Sequence, residues 1–149
     1  MLINIYTDGA SRDNPGESAS GYALFDKAGN RLFSNEFYNG IKTNNAAEYL
    51  ALIAALEKAV ELYGPENDVV AFSDSTLVAR QVAGSYKTKN SGLKALNRKA
   101  RELAGRFRSF TIKNVPRENE RIAEVDAALN ALLDDIESKA ASDGMAEYV

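Results

Sequence analysis

The segment TNNAAEYLALIAALEKAVELYG, residues 43–64, constrains the fold more than any other part of the chain. Leu52, Leu56, Val60 and Tyr63 recur at helical spacing, Thr43 or Asn44 can cap the start, and Gly64-Pro65 stops the end. One long helix therefore divides the chain. Before it, LINIYTDG reads as a strand closed by Gly9 and the turn residues that follow. SGYALFDKAGNRLFSNEFYNG reads as two strands, about 21–27 and 31–38, joined across Lys27-Ala28-Gly29-Asn30. After the helix come a buried-looking strand (VVAFSD), a short helix ending at Gly84, a basic helix (SGLKALNRKARELAGRF) and a fifth strand (SFTIKNV). A last helix is predicted from about Ile122 to Lys139. The order βββαβααβα predicts an α/β protein with a mixed sheet, opened by an antiparallel meander and continued by βα units. With 149 residues the chain fits one domain, expected over 1–140, with a polar tail over 141–149.

Two absences narrow the chemistry. The chain has no His and no Cys. Nucleophilic Ser-His and Cys-His pairs are therefore excluded, as are the usual nitrogen and sulfur ligands of zinc. An enzyme built from this chain must use carboxylates, Lys, Tyr, Ser/Thr or a hard metal such as Mg²⁺ or Mn²⁺. The lack of disulfides suits a reducing cytoplasm, and no secretory signal or membrane-length apolar run is visible, so a cytoplasmic protein is expected.

The net charge of −3 conceals a strong asymmetry. Between Arg80 and Lys113 there are ten basic residues and one acid, Glu102, so that segment carries +9 and the remainder −12. Such a segment is a candidate phosphate-binding face on an acidic body; a solvated helix face is the plainer reading.

Four acids fall where side chains should turn inward. Asp8 ends the first apolar run; Glu48 lies one turn before Leu52 on the apolar stripe of the long helix; Asp74 follows VVAF at the carboxyl end of a strand; Asp126 shares a face with Leu129, Leu133 and Ile136. Each has a structural explanation alone, as an Asx-turn, a helix cap or an answer to a helix dipole. Together they suggest a cation site, because an inward-facing acid must be paired, protonated or metal-bound.

With these residues in place the chain resembles the type 1 ribonucleases H over nearly its whole length. The motifs are YTDGASRDNPG, TNNAAEYLALIAAL, FSDSTLVARQVAG and, less closely, VPRENERIAEVDAALNAL. The resemblance implies a ribonuclease H-like fold, a five-stranded mixed sheet with helices on both faces. It implies endonucleolytic hydrolysis of the RNA strand of RNA–DNA hybrids, leaving 5′-phosphate and 3′-hydroxyl ends. Asp8, Glu48, Asp74 and Asp126 would be catalytic and metal-ligating, holding two Mg²⁺ (or Mn²⁺) ions once substrate is bound. Ser11, Asn14, Asn44, Asn45 and Thr76 would contact the hybrid, and Lys87 and Lys89 belong to the basic stretch, Lys87 to Arg108, expected to grip phosphates. An RNA–DNA duplex is the expected partner of a monomer that needs no membrane and no second protein.

Two departures from the family pattern stand out. Counting four residues on from Asn119 reaches Ala123, whereas aligning DAALNALLD from downstream selects Asp126, about two residues later; Glu124 and Glu120 are the lesser candidates. The histidine that some members carry in the preceding loop is missing, with Asn114, Arg117 or Glu118 as candidate substitutes. Three rival readings remain. A haloacid-dehalogenase-like phosphatase would want an acid where Ala10 stands; a module of the same fold could hold hybrid or RNA without cutting; a relative of the fold could act on DNA.

Overall fold

The computed structural model describes residues 1–146, with side chains described to residue 142. Nine elements follow in the order β1 (Leu2–Arg12), β2 (Gly16–Phe25), β3 (Arg31–Lys42), α1 (Asn44–Tyr63), β4 (Asp68–Ser73), α2 (Thr76–Ala83), α3 (Ser91–Ala104), β5 (Ser109–Asn114) and α4 (Glu120–Ala146). The five strands form one sheet in the order β3-β2-β1-β4-β5. β1, β2 and β3 are antiparallel neighbours, while β4 and β5 run parallel to β1. The mixed α/β architecture is the expected one.

Each face of the sheet is covered by its own helices. Ile3 and Ile5 of β1, Leu24 of β2 and Val69 and Ala71 of β4 pack with Leu52 and Leu56 of α1 and with Val78 and Leu103 of α2 and α3. On the other face Ala19, Ala23 and Phe25 of β2 pack against Val125, Leu129 and Leu133 of α4. The alternation of side chains along β1 separates the two cores: odd residues face α1 and even residues face α4.

The caps are where the residue types place them. Thr43 accepts from the Ala46 N–H, Ser75 from Val78 and Asn90 from Leu93, and Gly84 ends α2 in the left-handed conformation. Beneath the helices, the Tyr49 hydroxyl donates to Gln81 Oε1 (2.6 Å) and accepts from Asn97 Nδ2 (3.0 Å), joining α1, α2 and α3 in a satisfied buried network.

Two boundaries differ from expectation. Rather than closing at Gly9, β1 continues to Arg12, because Gly9, Ala10, Ser11 and Arg12 pair with Ser20, Ala19, Ser18 and Glu17 of β2. The turn is confined to Asp13-Asn14-Pro15, with Asp13 at a positive φ of 65°. The last helix starts at Glu120, where Asn119 Oδ1 accepts from the Arg121 and Ile122 N–H groups, and runs through residue 140 to Ala146. The segment AASDGMA continues the helix where a polar tail over 141–149 was expected. Residues 147–149 of that tail lie outside the described residues.

Candidate active site

The site is assembled at the carboxyl edge of the sheet by the register of two parallel strands. Pairing of β1 with β4 ends at Thr7 and Ser73, so Asp8, still paired with Gly21 of β2, and Asp74, just past the end of β4, come side by side where the two strands part. Helix α2 takes Ser75 as its cap, which leaves the Asp74 carboxylate unused by the helix. Glu48 arrives from α1, on the opposite side of the sheet from α4, through a gap that Gly9 provides. A Cβ at Gly9 would lie 2.4 Å from the Ala47 carbonyl carbon and 2.6 Å from the Glu48 nitrogen, so only glycine lets strand and helix meet this closely. Contact is fixed by the Gly9 N–H donating to Glu48 Oε1 (2.7 Å) and by the Ser20 hydroxyl donating to the Ala47 carbonyl (2.6 Å). The Ser73 hydroxyl reaches Glu48 Oε2 at 3.4 Å.

Asp8, Glu48 and Asp74 each offer an oxygen within 4.8 Å of the others, although Asp8 and Glu48 are only 5% and 6% exposed. Such crowding of buried acids disfavours their charge. The Asp8 carboxyl is pushed up to about 11, first by burial and then by the Glu48 charge. Burial likewise pushes Glu48 up to about 7, with hydrogen bonds from Asp8, Gly9 and Ser73 working against it. Asp74 is also raised by burial, against the pull of the nearby Arg117 guanidinium. Burial and mutual repulsion thus work against three neighbouring negative charges when no cation is present. An all-oxygen acidic donor set that carries this much repulsion fits a hard divalent cation such as Mg²⁺ or Mn²⁺, whose charge would offset it.

Asp126, half-buried on the second turn of α4, approaches the group from the other side, near enough that it adds to the upward push on Asp8 and its charge raises Asp74. The 4.8 Å mutual spacing belongs to the other three acids. Glu124 points elsewhere, paired with Arg31 at 3.0 Å, and Glu120 is exposed in the first turn of α4.

Around the acids lies an open groove lined by Asn44, Asn45, Glu48, Asp74, Thr76, Asn114 and Arg117. Two predicted residues lock a third: Asn44 Oδ1 accepts from the Ser11 N–H (2.7 Å), and Asn14 Oδ1 accepts from the Asn44 N–H (3.0 Å). The amide nitrogens of Asn14 and Asn44 remain as donors. Asn45 lines both this groove and the neighbouring one that contains Asn14, Thr43 and Asn90. The Thr76 hydroxyl donates to Asn114 Oδ1 (3.1 Å), and Asn114 Nδ2 donates to the Ser73 carbonyl (3.1 Å). Of the three candidates for the missing histidine, Asn114 and Arg117 line the groove while Glu118 is exposed beyond it. The expected fifth strand, SFTIKNV, ends one residue earlier, at Asn114, which the parallel pairing of β4 and β5 sets opposite Ser73.

The basic segment does not form one face. Lys99, Arg106 and Arg108 pair with Glu57, Glu102 and Asp68. Lys87, Lys94, Arg98 and Arg101 line one groove between α2 and α3 together with Tyr86, and Lys89 is exposed on the connection between those helices.

Residues 6–129 match the sequence profile of the family described as reverse transcriptase-like. The chain is 42% identical over 134 residues to ribonuclease HI of Halobacterium salinarum, an alignment that covers 89% of this chain and 65% of that protein. The chain thus spans slightly under two thirds of that relative. The crystal structure of RNase H1 from Halobacterium salinarum NRC-1 superimposes with a TM-score of 0.83 at 40% identity, covering 91% of this chain and 99% of that one. LC11-RNase H1, isolated from compost and solved in complex with an RNA/DNA hybrid, does so with a TM-score of 0.79 at 37% identity, covering 88% and 99%. With its strand order, its acids at the sheet edge and these likenesses, the chain belongs to the reverse transcriptase-like family and, within it, to the type 1 ribonucleases H.

Proposed function

We propose that this protein hydrolyses the RNA strand of RNA–DNA hybrids endonucleolytically, leaving 5′-phosphate and 3′-hydroxyl ends. The observation that carries the reading is the convergence of Asp8, Glu48 and Asp74 within 4.8 Å in a chain without histidine or cysteine. Asp8, Glu48, Asp74 and Asp126 would hold two Mg²⁺ or Mn²⁺ ions with substrate bound. Such ions supply Lewis-acid stabilisation of charge on the attacked phosphate and a lowered pKa for water.

The remaining work falls to the protein's own groups. Glu48, held at both oxygens by Gly9 and Ser73, keeps its carboxylate at a fixed place at the sheet edge. Distinguishing RNA from DNA requires a partner for the 2′-hydroxyl, which both donates and accepts. The amides of Asn44, ordered by Ser11 and Asn14, and of Asn45 offer that partner on the groove beside the acids, with the amide of Asn14 on the neighbouring groove. Arg117, on the same groove, is placed to meet a phosphate. The groove of Lys87, Lys94, Arg98 and Arg101 would take the phosphates of the other strand without reading its sequence, and Lys89 is exposed nearby to add to that contact. The hybrid-bound LC11-RNase H1 supports the choice of ligand.

The test uses labelled RNA–DNA hybrid, double-stranded RNA and double-stranded DNA, each with Mg²⁺, Mn²⁺ or EDTA, beside Asp8→Asn. Metal-dependent cutting of RNA in the hybrid alone, lost in Asp8→Asn, is the expected result. Tight binding of hybrid with no cutting under any metal would establish the non-cleaving module instead.

A further inference from the structure

The surroundings of Asp126 contain a chain of side chains that the proposed reaction does not use. On β1, Asp8 and Arg12 are four residues apart and share a face. On α4, Asp126 and Asn130 are one turn apart. The guanidinium of Arg12 meets the side chain of Asn130, and one turn earlier on α4 Asp126 lies near enough to Asp8 to act on its carboxyl. Arg12 Nη2 donates to the Asn130 side-chain oxygen (3.1 Å) and to its backbone carbonyl (3.2 Å). Asn130 Nδ2 in turn donates to Asp126 Oδ1 (3.0 Å) and to the Asp126 carbonyl (2.9 Å). Arg12 Nη1 is held by Asp134 (2.8 Å) and Glu137 (2.9 Å), one and two turns further along α4.

An asparagine amide has an accepting end and a donating end. With a cationic donor on one side and a carboxylate on the other, a single orientation satisfies both; the flipped amide would set oxygen against carboxylate and NH₂ against guanidinium. Arg12 therefore determines which end of Asn130 meets Asp126. The two acids that hold Arg12 also neutralise it, so Asp126 receives an amide dipole instead of a full positive charge. A guanidinium paired directly with Asp126 would compete with an incoming cation, whereas an amide orients the carboxylate and leaves its charge available.

We propose that Arg12 and Asn130 are positioning residues for Asp126, holding its carboxylate toward Asp8 in the geometry that a divalent cation needs. The proposal rests on the reading of the acid cluster as an ion site. Partners that orient a ligating carboxylate through a hydrogen bond set metal affinity by roughly 10- to 100-fold.

The test titrates the whole chain with Mn²⁺ in a calorimeter, measures hybrid cleavage against Mg²⁺ concentration, and records the thermal midpoint in EDTA. Asn130→Ala weakens Mn²⁺ binding roughly 10- to 100-fold and raises the half-maximal Mg²⁺ concentration similarly, with KM for hybrid unchanged at saturating Mg²⁺. Arg12→Ala acts in the same direction by a smaller factor, and Arg12→Lys, whose ammonium can still donate to the amide oxygen, recovers part of the loss. If Asn130→Ala and Arg12→Ala bind Mn²⁺ as the wild type does and merely melt lower in EDTA, Arg12 only staples α4 to β1 and the proposal is overturned. Asp8→Asn separates the two readings. Loss of Mn²⁺ in Asp8→Asn with retention in Asn130→Ala overturns positioning alone; retention in both overturns the ion site as well.

Discussion

Strand β4 carries an aspartate beside each end, and the two live in opposite electrostatic worlds. Asp68, at the start, meets Arg108 Nε at 3.1 Å and the Ser109 hydroxyl at 2.6 Å, and its carboxyl is held well below the usual range by Arg108 first and Ser109 second. Asp74, just past the other end, faces Asp8 and Asp126, with Arg117 as the cation acting on it, and its carboxyl is raised by burial. Burial by itself does not separate a structural acid from a site acid. What separates them further is the company they keep: Asp68 is directly paired with Arg108, whereas Asp74 stands among acids and, among the described residues, makes no salt bridge, although Arg117 pulls on it. Metal-free protein therefore carries strain at one edge of its sheet that it does not carry at the other.

Removing each charge in turn is the sharpest way to break this contrast. Asp74→Asn is expected to reduce hybrid cleavage by about three orders of magnitude, as loss of a group that stabilises charge at a reacting centre does. The same variant should melt no lower than wild type in EDTA, because it removes a repelled carboxylate from a crowded edge. Asp68→Asn should do the reverse, with cleavage within a factor of two of wild type (roughly, as for surface sites away from the chemistry) and a lower midpoint. Cleavage rates and EDTA melting curves on the same preparations decide it; equal melting behaviour would dissolve the distinction.

Next in size is the steric condition for the strained edge. Gly9→Ala would drive a methyl group into the Ala47 carbonyl carbon, 2.4 Å away, where the obstacle is helix backbone and cannot rotate aside. The expected cost is about 3 kcal/mol or more in a urea unfolding experiment, with cleavage lost in whatever folds. Gly40, where a Cβ would meet nothing within 4 Å although φ is +77°, supplies the comparison: Gly40→Asn should cost far less.

How much of this could be read beforehand depended on how local the cause was. Asp8, Glu48 and Asp74 were legible because each interrupts an apolar pattern whose period is already known, and Thr43 and Gly84 because a cap is a property of a few adjacent residues; the cap of α2 was read as Asp74 and is Ser75. The extension of β1 through Gly9 to Arg12 was not legible, since GASR has turn-like composition and becomes strand only by pairing with β2. Asn114 and Arg117 could be named only as stand-ins for a missing histidine, and Asn130 not at all, because the contacts that define Asn114 and Asn130 include residues of other elements. The basic stretch was legible as charge but not as a surface, because three of its members are committed to Glu57, Glu102 and Asp68.

The smallest expected effect concerns pH. Asp8 and Glu48 bind protons more tightly in the folded chain than in the unfolded one, so between the unfolded carboxylate range near pH 4 and their raised folded values the native state holds more protons. Stability of the metal-free protein must then fall as pH rises through that interval. Asp68 contributes with the opposite sign, but its lowered value confines that contribution to more acidic solution, so it leaves this interval untouched. Saturating Mg²⁺, which requires the carboxylates ionised, should flatten or reverse the slope by favouring the form that has lost those protons. Urea unfolding at pH 5, 6 and 7, with EDTA and with Mg²⁺, measures both lines. Parallel lines would mean that the acids at the carboxyl edge of the sheet are no more strained than Asp68, and the contrast between the two ends of β4 would fail.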